Sequence, residues 1–381
     1  MKTNDGEQRA PVNRLVVKIG SSTLTTEDGR FDSSYLQELA RQVALLRKGG
    51  TEVLIVSSAA IVAGLQRLNM PSARPEDIPT LQAAAAVGQI ELTQSYREAF
   101  AVENLQLGQI LITRNDTTNR ESYLHARDTL ERLLELGIIP LINENDTIAI
   151  DEIRFGDNDT LAAQVAILVK ADLVVLLSDI EGLYSADPRT SEDAELLQIV
   201  EEFSHEIVGA AGSAGSDKGS GGMFTKIEAA RMLMAASIPM VICEGHGEDA
   251  ILNAAQGKVQ GTRFERDNQG KQANARKLWL ALSGAVCGEV TIDRGAVTAL
   301  RKQGSSLLPV GVVSSQGSFE KGNVVDIRDE EGLLIGRGIS NYSSGDLSEV
   351  AGQRSSALVN SVSLENNAKT EVVHRDAMVI F

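Results

Sequence analysis

The sequence predicts an α/β domain followed by a small β-rich domain, and three observations carry that prediction. From Leu15 to about Cys243, short β-branched apolar runs alternate with longer stretches of helical period, the pattern of a sheet sandwiched by helices. Beyond about residue 275 the runs are short and punctuated by glycine, among them Gly284, Gly288, Gly311, Gly317, Gly322 and Gly336, which suggests a compact β-barrel or roll. At 381 residues the chain also exceeds the size at which a single core keeps growing, so two domains are expected.

The strands expected in order are Leu15–Ile19, Val53–Val56, Leu107–Ile112, Ile138–Ile142, Leu173–Leu177 and Met240–Cys243. Between the first two, a helix is expected from Ser33 to Leu46, capped by Ser33 or Ser34 and stopped by Gly49-Gly50. Another is expected from Arg120 to Leu136, stopped by Gly137. Ile148–Phe155 reads as a hairpin turning near Asp151-Glu152. The polar, glycine-containing stretch Gly257–Ala275 reads as a linker, which gives a first domain over residues 1–262, a linker over 263–275 and a second domain over 276–381.

Composition excludes several function classes. Hydrophobic residues at 43% and charged residues at 23% are ordinary globular usage, so the chain is expected to fold. The N-terminus lacks an apolar leader and no run reaches the roughly 18 apolar residues of a membrane span, so a cytoplasmic protein without a membrane partner is expected. Two cysteines, Cys243 and Cys287, and four scattered histidines offer neither a disulfide framework nor a transition-metal site. The net charge of −16 is concentrated in residues 1–275, which hold 40 acidic and 25 basic residues against 12 and 11 in the remainder. The first domain should therefore repel nucleic acid, while the nearly neutral tail leaves RNA open.

Neither G-x-x-x-x-G-K-[ST] nor G-x-G-x-x-G occurs, so a nucleotide would have to be held by other means. Four segments stand where a strand gives way to a loop or helix, the place where open α/β sheets hold ligands. Lys18-Ile19-Gly20-Ser21-Ser22 follows the first strand and reads either as a phosphate cradle, with glycine turning backbone amides and lysine adding charge, or as a plain turn. Val56-Ser57-Ser58-Ala59-Ala60-Ile61 runs from strand into helix, where Ser57 or Ser58 would cap the helix or Ser58 would touch an anionic substrate. Asn143-Glu144-Asn145-Asp146 and Phe155-Gly156-Asp157-Asn158-Asp159 flank the expected hairpin; such groups recognise an ammonium, orient lysines or hold Mg²⁺, and they are also the common residues of turns. The glycine-rich Gly209–Gly222 stretch opens a helix at Met223-Phe224-Thr225-Lys226, and Ser178-Asp179 and Gly182-Leu183-Tyr184 follow another strand. A loop closing over a triphosphate or a flexible linker would both fit the glycine-rich stretch, but a linker has no need of Lys226.

Taken in order, VVKIGSSTLT, IVSSAAIVAG, LQAAAAVGQ, LINENDT, RFGDND, LLSDIEGLY and GSGGMFTK resemble the glutamate 5-kinases, the proline-pathway branch of the amino-acid kinase family. RKLWLA, DRGAVTAL, SLLPVGV, GSFEKGNVV and GRGISNYSS resemble a PUA domain in the tail. The resemblance implies a three-layer amino-acid-kinase-like sandwich with a mainly parallel sheet, followed by a small PUA-like β-barrel. It further implies ATP-dependent phosphorylation of the γ-carboxylate of L-glutamate, the first step of proline biosynthesis, with Mg²⁺ as the metal, proline as a feedback inhibitor and a homo-oligomer as the assembly.

By the same resemblance Lys18, Asp159 and Lys226 are catalytic, Asp159 orienting the two lysines. Ser58, Asp146 and Asn158 bind glutamate. Lys18, Ser178, Asp179, Ser220, Gly221, Gly222, Met223, Phe224, Thr225 and Lys226 hold the nucleotide. The chain departs from the family at one place: Ala59 stands where Ser-Ser-Gly-Ala has glycine. If that position needs a positive φ, alanine there costs about 1–2 kcal/mol.

Overall fold

The computed structural model describes residues 10–26, 30–70, 75, 77–113, 116, 119–148, 158–191, 193–213, 222–258, 260–266, 286–353 and 371–381. The chain divides into two compact units, one drawn mainly from residues up to 267 and the other mainly from residue 268 onward.

In chain order the first stretch holds β1 (Arg14–Ile19), α1 (Ser21–Leu24), α2 (Ser33–Lys48), β2 (Glu52–Ser57), α3 (Ala60–Arg67), α4 (Ile78–Val102), β3 (Leu107–Ile112), α5 (Arg120–Glu135), β4 (Ile139–Glu144), α6 (Asn158–Leu168) and β5 (Leu173–Ser178). It continues through β6 (Ile199–Val200), α7 (His205–Ser213), α8 (Met223–Ala235), β7 (Met240–Glu244), α9 (Ala250–Ala255) and β8 (Thr262–Phe264). All six expected strands are present. They join one eight-stranded sheet in the order β3-β4-β2-β1-β5-β7-β8-β6. Every pairing in it is parallel except β7 with β8.

Successive residues of a strand point to opposite faces, and that alternation decides which side chains reach the site. Leu15, Val17 and Ile19 of β1 pack on one face with Val53 and Ile55 of β2 and Val175 and Leu177 of β5, under Leu36, Leu39 and Val43 of α2 and Tyr96 and Phe100 of α4. Lys18 therefore leaves the opposite face, where it meets α6. A strand buried on both faces reads as a continuous apolar run, which is why β1, β2 and β5 were legible.

Three local expectations are corrected. The cap of α2 is Asp32, not Ser33 or Ser34, because its carboxylate accepts hydrogen bonds from the amides of Ser34 and Tyr35, each at 3.0 Å. Arg263 and Phe264, expected in the linker, form part of β8; Phe264 is fully buried and Arg263 pairs in register with Val241. Gly20 adopts φ −72°, and a β-carbon there would meet only ordinary contacts, so its freedom as glycine is not used. The expected hairpin after Ile148 and the remainder of the linker from residue 267 lie outside the described residues.

Helices α3 and α4 pack backbone to backbone. A β-carbon added to Gly88 would stand 1.8 Å from the carbonyl oxygen of Ala60, and one added to Gly64 would stand 1.8 Å from that of Ala84. Only glycine permits this approach, and it sets α4 beside the first turn of α3.

The second unit contains β9 (Val286–Ile292), α10 (Arg294–Gln303), β10 (Val312–Gly317), β11 (Val324–Asp329), β12 (Leu334–Ser340), α11 (Ser344–Val350) and β13 (Val373–Ile380). Its strands form a five-stranded sheet in the order β10-β9-β11-β12-β13, with β9 and β11 parallel and the other pairs antiparallel. Among the described residues β10 and β13 stand at the ends of this strand order.

Candidate functional site

Parallel register brings the ends of β1, β2, β4 and β5 to one edge of the sheet. Lys18 pairs with Val56 and with Leu176, Ile19 with Ser57 and with Leu177, and Val56 with Ile142. Residues far apart in sequence therefore meet just beyond this edge: Gly20, whose amide donates to the Leu177 carbonyl at 3.2 Å, Ser58, Asn143 and Ser178.

The centre of the site is Asp159 in the first turn of α6. Its carboxylate has no exposure, Lys18 is 6% exposed and Lys226 is 5% exposed. Lys18 Nζ lies 2.5 Å from Asp159 Oδ1, and Lys226 Nζ lies 3.1 Å from Oδ2. The Thr225 hydroxyl donates to the same Oδ2 at 3.0 Å. Burial alone pushes the Asp159 carboxyl up, but the two ammonium groups overrule it and hold the carboxyl well below the usual range. Two ammonium groups and one carboxylate thus sit together out of water. Such an arrangement costs desolvation unless each charge is met, and lysines fixed in this way suit an anionic ligand.

A chain of amides forms the second part. Asn158 Nδ2 approaches the Ser57 carbonyl at 2.6 Å, Ser58 Oγ at 3.1 Å and Asn143 Oδ1 at 2.9 Å. Asn143 Nδ2 in turn donates to Gln89 Oε1 at 2.8 Å. The Ser57 hydroxyl donates to Tyr96 Oη at 3.0 Å, inside the core.

Helix α3 opens at Ala59, which has φ +77° and ψ 5°, and no side chain caps it. Alanine therefore occupies the left-handed region, and neither Ser57 nor Ser58 serves as the cap. The first turn of α3 is thus left without a side-chain cap, and helix N-termini favour anions.

The structure thus joins Lys18, Asp159, Lys226 and Thr225 in one cluster and Ser58 with Asn158 in another, linked by the adjacency of residues 158 and 159. Asp146 lies half-buried in the turn after β4. Ser178 ends β5, buried, and its hydroxyl donates to the exposed Asp179 at 3.1 Å. The Gly222 carbonyl also lies within reach of the Thr225 hydroxyl, at 2.8 Å, so Asp159 and Gly222 share its one proton; Met223 is buried and Phe224 is exposed at the start of α8. Ser220 and Gly221 lie outside the described residues. Sequence reasoning named Asn143 only as part of a cluster and assigned no role to Gln89 or Tyr96; Asn143 and Gln89 lie within segments it singled out, but their partners are 15 to 54 residues distant, beyond any local periodicity.

The amino acid kinase family's sequence pattern matches residues 13–244, more than half of the chain. The chain belongs to the amino acid kinase family. The PUA domain pattern matches residues 288–362 of this kinase. A protein named glutamate 5-kinase from Citrifermentans bemidjiense is 43% identical over 369 residues, covering 97% of this chain and 98% of its own. Another of that name from Delftia acidovorans is 44% identical over 375 residues, with 97% of each chain covered. Among solved structures, UMP kinase from Ureaplasma parvum aligns with 68% of this chain and all of its own at 15% identity and a TM-score of 0.46.

The donors present can be tested against magnesium. Both oxygens of Asp159 face ammonium groups and are engaged. Among the described residues no group of three or more His, Cys, Asp or Glu side chains forms a cage. A magnesium ion brought in with a nucleotide would be left chiefly to phosphate oxygens and water, which is this ion's usual habit. No described helix is long and apolar enough to cross a membrane.

Proposed function

We propose that this amino acid kinase transfers the γ-phosphoryl group of ATP to the side-chain carboxylate of L-glutamate, giving L-glutamyl 5-phosphate and ADP for proline synthesis. The observation that carries the reaction type is the buried carboxylate of Asp159 bridging Lys18 and Lys226. Near-full-length relatives named glutamate 5-kinase support the choice of amino acid.

A glutamate side chain, with pKa about 4.3, is already ionised at neutral pH, so its oxygen attacks without a general base. No histidine is needed, and none of the residues assembled here is one. The obstacle is repulsion between an anionic nucleophile and a polyanionic phosphate, which in-line positioning and charge neutralisation relieve. Lys18 would meet the transferring phosphoryl group and Lys226 the β- and γ-phosphates, with Asp159 fixing both ammonium groups. When bound to the triphosphate, magnesium supplies further charge neutralisation. Ser178, Asp179 and residues 220–226 would hold the nucleotide. Ser58, Asp146 and Asn158 would hold glutamate by its charged ends.

The test incubates the purified protein with ATP, Mg²⁺ and hydroxylamine, which traps acyl phosphates as hydroxamates, and compares glutamate, aspartate, N-acetylglutamate and no acceptor. Hydroxamate that depends on glutamate is expected. Product with another acid alone would replace the substrate, and no product with any acid would sink the reading.

A further inference from the structure

We infer that Gln89 is a substrate-binding residue that donates a hydrogen bond to the non-reacting carboxylate of the acceptor, an inference that rests on the function proposed above. The argument begins with the polarity of the amide chain. The Glu144 backbone N–H, which can only donate, reaches Asn143 Oδ1 at 2.8 Å. That oxygen is therefore the acceptor, and Asn143 Nδ2 must be the group facing Gln89. Gln89 meets it with Oε1 at 2.8 Å. At the other end the Ser57 carbonyl, which can only accept, fixes Asn158 Nδ2 as donor. Both ends of the chain are thus anchored by backbone groups, and the orientation of Gln89 follows.

With Oε1 committed, Gln89 Nε2 points away from Asn143. It is shielded from solvent and has no hydrogen-bond partner among the described residues. Leaving a buried amide donor unmet costs about 1–3 kcal/mol, so an orphan beside a ligand site marks where the ligand places an acceptor. Ser58 is a donor too: the two protons of Asn158 Nδ2 are claimed by the Ser57 carbonyl and Asn143 Oδ1, and Nδ2 accepts nothing, so the Ser58 hydroxyl 3.1 Å away keeps its proton for a ligand. Two donors and no acceptor are offered, and the complement is a carboxylate.

The chain also shows which carboxylate. Asn158 adjoins Asp159 and the two lysines, where the reacting oxygen must lie. Gln89 is two hydrogen bonds further along, through Asn143, at the end away from the lysines. It is held there by the approach of Gly88 to Ala60, which leaves α4 no room to slide along α3.

The full chain with Gln89→Glu tests this, because glutamate at 89 keeps an oxygen for Asn143 but replaces the donor with a negative charge. Steady-state kinetics and calorimetric titration with L-glutamate are expected to give a KM and a Kd raised roughly tenfold to a hundredfold, with the KM for ATP and the melting temperature unmoved. Gln89→Leu, which removes both contacts, should also lower kcat by loosening Asn143. The α-amide of glutamate, which lacks the second carboxylate, should lose little or no affinity in Gln89→Glu. An unchanged KM for glutamate in Gln89→Glu overturns the inference, and so does a parallel loss of glutamate affinity, ATP affinity and melting temperature, the mark of a merely structural role. A wild-type protein with no glutamate-dependent product sinks the function and this inference together, whereas an active wild type with an unaltered Gln89→Glu sinks the inference alone.

Discussion

The ammonium group of Lys18, on β1, stands 2.5 Å from Oδ1 of Asp159, on α6, and both side chains are almost wholly withdrawn from solvent. A charge pair of this kind contributes little net stability over an apolar packing, yet breaking it from one side leaves a buried charge without its partner. Its value lies in fixing the position of a cation before the ligand arrives.

Asp159→Asn should accordingly remove activity and destabilise the fold by roughly 3–5 kcal/mol, since two buried ammonium groups lose their common counter-charge. The Asp159 carboxyl is depressed in the folded state, so its contribution is fully present above the unfolded value near 4 and is lost as pH falls toward the folded value. Urea melts of wild type and variant should differ most at neutral pH and converge below pH 4. A gap independent of pH would show that the charge on Asp159 is not what stabilises the site.

Lys18→Met keeps the length of the side chain and removes the charge. If Lys18 acts on charge that develops during transfer, kcat should fall about 10²- to 10³-fold while the KM for glutamate changes little. The hydroxamate assay at saturating ATP reads both. A kcat within a few-fold of wild type would remove Lys18 from the mechanism.

Ala59 at φ +77° bears the strain that its position imposes on any residue with a β-carbon. Ala59→Gly should release about 1–2 kcal/mol of it, offset by about 0.4–1 kcal/mol of extra freedom in the unfolded chain. The expected result is a modest net gain in thermal stability, read by calorimetry, with glutamate turnover equal to or above wild type. A variant less stable than wild type would mean that the Ala59 methyl, which is buried in the core, contributes more packing than strain.

Gly88→Ala places a methyl 1.8 Å from the Ala60 carbonyl oxygen, backbone that cannot swing aside. Separation of α3 from α4 should cost about 3 kcal/mol and weaken glutamate binding more than ATP binding, because α4 carries Gln89. Titrations of each substrate against the variant check the order of the two losses.

Much of this protein was legible from its sequence. The apolar runs of β1, β2, β4 and β5 announce themselves because strands buried on both faces need no polar alternation. Lys18 and Ser58 stood out as polar residues at the ends of such runs, while Asp159 and Lys226 stood in polar or glycine-rich segments and took their roles from the family resemblance. Other features depend on groups that are distant along the chain. Whether Ala59 had an ordinary or a left-handed backbone was decided by the turn from β2 into α3. That Gly64 and Gly88 must lack a β-carbon was decided by the packing of α3 on α4, and that Gly20 needs no freedom beyond other residues by the path of the chain out of β1. The polarity running from Glu144 through Asn143 to Gln89 exists only because β4 and α4 are brought together across 54 residues of chain. Local sequence determines which segments become strands and helices, since burial pattern and turn chemistry act over a few residues. Side-chain partnership is set by register and helix packing, which act between segments, and that was settled only by the tertiary structure.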